Sequence, residues 1–292
     1  MHKILFILFM VIFLAGCGGE KISVEIPDKP ERIVVTSASF LEPLHAVGGN
    51  IVGRPDSKNN MPDWAKNIQS IGAVYQVDVE KILSCAPDLV IINKGMNEKL
   101  VDVLAENKIP ALILEMKTYD EVKNELKHFG KMTGNIDTAD KIIAQMDDEI
   151  QQILDNMPHE KKRVAILHST AQGLSVQLEG SIAGSIVKMF GWENVANDMT
   201  PLENNPDAAP YSMETLAAQN PEIIFVTSMG DIDKIKANMQ EAIETNDAWQ
   251  AIGAVKNNQL YYLPQNLFLL SPGLNYPDAV RMMAELIYGK VS

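Results

Sequence analysis

The sequence is poor in the residues that staple a chain or catalyse on it. Of 292 residues only two are cysteines, Cys17 and Cys85, and only four are arginines, at positions 32, 54, 163 and 281. No phosphate-cradling G-x-x-x-x-G-K-S/T loop, no G-x-G-x-x-G after a strand and no G-x-S-x-G elbow occurs. Of the five histidines, only His45 and His168 sit near strand or helix ends. Neither has a clustered carboxylate, which makes a zinc or manganese site weak and favours structural roles. Nothing sets a nucleophile, a base and an orienting group in a recognisable order. A binding protein accounts for these absences better than an enzyme does.

Long apolar runs are also scarce. The one at the N-terminus, Ile4 to Phe13 after His2 and Lys3, is too short and wrongly flanked for a comfortable membrane span and has the layout of a secretory signal. It ends in Leu14-Ala15-Gly16-Cys17, which resembles the bacterial lipobox. That resemblance implies a lipid-modified Cys17 as first mature residue, Gly18-Gly19 as a tether, and a chain held outside the cytoplasmic membrane by acyl chains. The alternatives are an ordinary signal peptide or a single membrane anchor. An acylated Cys17 leaves Cys85, in KILSCAPDLV, without a disulfide partner and reads it as a small buried residue. Stability must then come from cores, and the mature length suffices for two ordinary domains. The net charge is −13, an argument against nucleic acid or anionic lipid as main partner.

Periodicity alternates between strand and helix. ERIVVTSAS, NIVGRP, PDLVIINKG and PALILEM read as strands, separated or followed by helices at FLEPLHAVGG, NEKLVDVLAENK and DEVKNELKHFGKMTG. TADKIIAQMDDEIQQILDNMP carries a helical apolar stripe from Ile142 to Leu154 and reads as one helix of roughly 30 Å. It is either a rigid connector or an element of one core. The pattern then restarts with KRVAILHST, GSIAGSIVKMFG, YSMETLAAQN, PEIIFVTSMG, QLYYLP and a closing helix. Glu80 and Pro87 recur as Glu214 and Pro221, both at an offset of 134 residues. The shared offset predicts two related α/β lobes. Ligands of open α/β sheets bind beyond the carboxyl ends of the strands, which directs attention to two loops. One precedes the helix capped by Asp78 and holds Tyr75, which either packs or presents its phenol. The other is Thr227-Ser228-Met229-Gly230.

Taken in order, the lipobox, ERIVVTSASFLEPLHAVGG, VGRPDS, IGAVYQVDVEKILSCAPDLVI, the long helix, LYYLP and NLFLLSPG resemble a substrate-binding lipoprotein of an ABC importer. The class is the one whose two α/β lobes are joined by a single long rigid helix and which carries heme, ferric siderophores or cobalamin. The resemblance implies a signal peptide over residues 1–16, a tether over 17–29, an N-terminal lobe over 30–137, a connecting helix over 138–158 and a C-terminal lobe over 159–292. It implies a monomer that delivers heme, a transported ligand and not an intrinsic cofactor, to an ABC permease and its ATPase. Tyr75 matches the position of an axial iron ligand in heme carriers. Met229 falls where some relatives carry a histidine from the opposite lobe, and Arg54 matches a propionate or rim residue. Phe268, with Leu269 and Leu270, is the expected apolar wall. A phenolate suits ferric iron, while a thioether favours the reduced state.

The same resemblance assigns permease docking to one acid on each lobe. Glu42 holds the first position; the second holds Ser185, a departure that leaves Glu179 or Glu193 as substitutes. Ferric siderophore and cobalamin remain the rival ligands. The scarcity of arginine weighs against catecholates, and Trp64, Tyr75 and Trp249 are the aromatics available to cobalamin. A rival from another class is a lipid-anchored hydrolase using His168 and Ser169.

Overall fold

The computed structural model describes residues 24–57 and 61–291; the signal segment and Cys17 lie outside them. The first lobe is built on a six-stranded sheet. Its strands are β1 (Ile33–Val35), β2 (Ile51–Asp56), β3 (Gln69–Ala73), β4 (Gln76–Val77), β5 (Leu89–Asn93) and β6 (Ala111–Leu114), in the order β4-β3-β2-β1-β5-β6. All pairings are parallel except the β3–β4 hairpin. The second lobe adds β7 (Arg163–Thr170), β8 (Gly173–Gln177), β9 (Glu193–Asn194), β10 (Ala208–Pro210), β11 (Ile223–Ser228) and β12 (Leu260–Tyr262). These are ordered β10-β8-β7-β11-β12, with β9 beside β7, and the β7-β11-β12 centre is parallel. The central strands β1 and β11 are buried along their whole length, as parallel strands covered on both faces require. The short strands β3, β4, β8, β9 and β10 were not expected from the periodic pattern, because they are edge or hairpin strands with mixed exposure.

The internal repeat is a repeat of physical devices. Asp78 and Ser212 each cap a helix, Val79–Ser84 and Met213–Gln219, by accepting a backbone N–H three residues on. Ala86 and Asn220 then reverse the chain with positive φ, at 46° and 43°. Asp88 accepts from the N–H groups of Glu31 and Arg32, and Glu222 accepts from Arg163 N–H at 2.8 Å. The guanidinium of each arginine bonds the carbonyls left open at the helix end: Arg32 to those of Cys85 and Ala86, Arg163 to that of Gln219. Each arginine thus occupies the position where helix-terminal carbonyls lack internal partners. Cys85 is buried, and burial pushes its thiol up.

Between the lobes runs one helix of 20 residues, Ile136–Asp155, beginning two residues before the expected connector and ending three before it. Its buried stripe of Ala139, Ile143, Met146, Ile150 and Ile153 packs between the preceding helix, Tyr119–Thr133, and the last helix, Tyr276–Tyr288. One apolar core therefore runs from Phe40 and Phe129 of the first lobe through this helix to Ile166, Phe225 and Met283 of the second. The sequence leaves connector and core element as alternatives, and the packing of this helix makes it an element of the core. No helix among the described residues is long and apolar enough to cross a membrane.

Candidate functional site

A cleft of about 510 Å³ opens where the carboxyl ends of both sheets meet, within the size range of small-molecule sites. From the first lobe it is lined by Ser37 and Ser39 after β1, by the Asn93–Glu98 loop after β5 and by Glu115–Lys117 after β6. From the second lobe come His168, Gln177, Asp207 and the Phe268–Ser271 segment. A second cavity of about 610 Å³ shares Ser39 and Ser271 with the first and continues toward Glu42, Lys66 and Asn266. The two cavities adjoin at those serines.

Phe268 is among the cleft-lining residues, buried to 3% exposure on a short helix, Gln265–Phe268. Tyr75 and Met229 are placed differently. Tyr75 occupies the two-residue turn of the β3–β4 hairpin, closed by the Ala73–Gln76 pair, and is 82% exposed. Gly72 permits this turn with φ +98°, where a Cβ would lie 2.9 Å from the Gln76 carbonyl. Met229 follows β11 and is 48% exposed. Both side chains stand where the chain leaves a strand, and neither is among the residues lining the cleft. The Tyr75 hydroxyl has no partner among the described residues.

Two amides that the sequence reasoning missed hold those loops. Asn97, buried, donates from Nδ2 to the Val74 carbonyl at 2.8 Å. Gln265 donates from Nε2 to the Gly230 carbonyl at 2.8 Å and to Ser228 Oγ at 3.2 Å. Each clamp acts on the backbone one residue from the exposed side chain, so the loop is fixed while the side chain stays in solvent. Single amides far apart in sequence give no periodic signal.

Arg54 is committed within its own lobe. Its guanidinium donates to the carbonyls of Pro55, Ala65 and Lys66 and pairs with Asp56 at 2.7 Å. It braces the Asp63–Ala65 turn and is not among the cleft-lining residues. Glu42 is half-buried and accepts the Trp64 indole N–H at 3.3 Å, and the Trp64 ring stacks on His45 at 3.8 Å. Ser185 turns inward, bonded to Ile182 O and to the Tyr276 hydroxyl. Glu179 is paired with Lys188, and Glu193 with Arg163.

His168 sits in the cleft wall with Nδ1 2.9 Å from Thr227 Oγ1. Thr227 already donates its hydroxyl proton to Leu167 O, so it accepts from Nδ1–H and the imidazole keeps Nε2 unprotonated. Burial lowers the His168 pKa. In the unfolded chain a histidine takes up a proton near pH 6.5, while the folded protein resists it to lower pH. Stability contributed by neutral His168 is therefore complete above about pH 6.5 and declines as pH falls from there through the lowered folded value. Denaturant unfolding between pH 7.5 and 5 should show this loss, and His168→Gln should flatten the slope. An unchanged slope in the variant would contradict the buried neutral imidazole.

The cleft also contains a string of alternating charge. Lys94 Nζ lies 2.7 Å from Glu115 Oε2, and Lys117 Nζ lies 2.6 Å from Glu115 Oε1 and 2.5 Å from Asp207 Oδ2. Burial opposes the charges of Lys117 and Glu115. Their mutual contacts, with Asp207 and Lys94, nonetheless hold Lys117 above and Glu115 below the ordinary range.

Comparison with known proteins agrees with this architecture. The high-affinity heme uptake system protein IsdE of Staphylococcus aureus is 23% identical over 282 residues, covering 95% of this chain and 94% of IsdE. The crystal structure of IsdE complexed with heme superposes with a TM-score of 0.76 at 22% identity, covering 88% of this chain and 98% of IsdE. An ABC transporter substrate-binding protein from Listeria monocytogenes EGD-e gives a TM-score of 0.79 at 28% identity, over 89% of this chain and 99% of the other. The vitamin B12 binding protein BtuF of Vibrio cholerae gives 0.68 at 21% identity, over 89% and 98%. The Periplasmic binding protein family model matches residues 33–267. With two open α/β sheets meeting at a groove and that match across most of its length, the chain belongs to the periplasmic binding protein family.

Proposed function

We propose that this protein is the extracytoplasmic, lipid-anchored substrate-binding protein of an ABC importer, that it takes heme into the interlobe groove, and that it hands it to a permease. The observation that carries the ligand assignment is the exposure of Tyr75. A tyrosine left 82% exposed at a hairpin tip, on a backbone clamped by Asn97, is a donor presented outward and not a packing residue. Met229 on the other lobe supplies a thioether, the softer second donor. Met96 is exposed in the cleft wall, which Phe268 also lines, and supplies apolar surface for a porphyrin face. The similarity to IsdE supports the same ligand. Arg54, with its donors engaged, has a bracing role in this reading. Glu42 remains the docking acid of the first lobe, set by Trp64, and Glu179 or Glu193 serves the second, since Ser185 faces Tyr276.

Titration of the purified protein with hemin, followed by absorbance, tests the assignment. A saturable Soret band at one hemin per chain is expected. Linear, non-saturating absorbance would exclude heme and direct the test to ferric siderophores and cobalamin.

A further inference from the structure

Lys117 joins the first lobe (24–135) directly to the second (156–291) through both its side chain and its backbone. Its ammonium holds Asp207 across the cleft, and its backbone carbonyl accepts the Tyr276 hydroxyl at 3.2 Å. Its backbone N–H is taken by Glu121 Oε2 at 2.8 Å, beside the Thr118–Glu121 capping box. The main chain at Lys117 is therefore fixed on both sides, and only the side chain is free to change partner. Opposite it, the Asp207 carboxylate lies against Gly180, where a Cβ would come within 2.2 Å of Oδ1. The bare glycine backbone makes room for this carboxylate at the cleft edge. Lys94 stands on the far side of Glu115, so two ammonium groups flank one internal carboxylate.

We propose that Lys117, with Lys94, is a carboxylate-exchange subsite: an acid group of the bound ligand takes the place of Asp207 on the Lys117 ammonium. The assignment rests on the heme reading above, and the ligand class it names is a porphyrin with free carboxylates. Exchange suits this position because a part-buried ammonium is costly to leave unpaired. Before the ligand arrives Lys117 is shared between Glu115 and Asp207, and Asp207, on the opposite lobe, is the partner that turns to solvent when it is displaced. The exchange also cuts an ion pair that joins the lobes, so ligand carboxylate and lobe contact compete for one cation. Ligands without an acid group find the subsite already filled and gain nothing there.

The test compares hemin with hemin dimethyl ester, whose carboxylates are masked, on the wild type and on Lys117→Gln, Lys117→Arg and Asp207→Asn. Lys117→Gln is expected to weaken hemin tenfold or more and leave the diester unchanged, with Lys117→Arg restoring most of the loss. Asp207→Asn is expected to tighten hemin several-fold, a gain that misfolding cannot produce, and again to leave the diester unchanged. Equal effects on both ligands, or weaker hemin binding by Asp207→Asn, would overturn the exchange while leaving heme carriage intact. Absence of a saturable hemin band in the wild type would overturn the heme reading and this assignment with it.

Discussion

Tyr75→Ala is expected to shift the Soret band of the hemin complex and to weaken binding by at least about tenfold, about 1.4 kcal/mol. Tyr75→Phe should do nearly as much, because it keeps the ring and removes only the oxygen. That pair of variants separates a ligating phenol from an aromatic wall: a wall residue would tolerate phenylalanine with little change in band or affinity. Met229→Ala is expected to move the band as well, with a smaller loss, since a thioether is a weak partner for ferric iron. A spectrum that responds to Tyr75 alone would return Met229 to packing. Neither substitution should affect folding much, since both side chains are exposed and surface changes are ordinarily worth about 0.5 kcal/mol or less.

The opposite profile is expected at Tyr276. Its ring is fully buried, lies 5.2 Å from that of Tyr119, and carries a hydroxyl bonded to Ser185 and to Lys117 O. Tyr119 in turn reaches Asp147 on the connecting helix at 2.8 Å, and burial with that carboxylate pushes its phenol well above the ordinary range. Tyr276→Ala removes the packing and leaves a cavity, so destabilisation of about 3–5 kcal/mol is expected in urea unfolding. Tyr276→Phe keeps the ring but strands the Lys117 carbonyl, at about 1–3 kcal/mol. A loss below about 1 kcal/mol for the alanine variant would mean that the joint between the lobes does not depend on this ring.

The parts of this fold that sequence makes legible are those with a period. The buried parallel strands read as apolar runs, Leu89 to Ile92 and Ile223 to Val226. The connecting helix reads as a 3.6-residue stripe, and the 134-residue offset turned out to govern caps, strand clasps and positive-φ turns alike. Short edge strands such as Gln76–Val77 and Ala208–Pro210 have no room for a period. Of the candidate site, the sequence made legible that Tyr75 and Met229 follow strands. What a polar side chain bonds depends on segments far away in sequence. Hence Arg54 proved to brace its own turn, Ser185 to face Tyr276, and Lys117 to reach Asp207 across 90 residues. Asn97 and Gln265 were missed for the same reason.

The central claim is that heme occupies the groove between Tyr75 and Met229, and the most direct measurement is a crystal structure of the purified protein with hemin. The account predicts the iron within bonding distance of Tyr75 Oη, the porphyrin over Phe268, and a porphyrin carboxylate on Lys117 Nζ with Asp207 released. A porphyrin seated away from Tyr75, or hemin held only on the outer surface of one lobe, would contradict it.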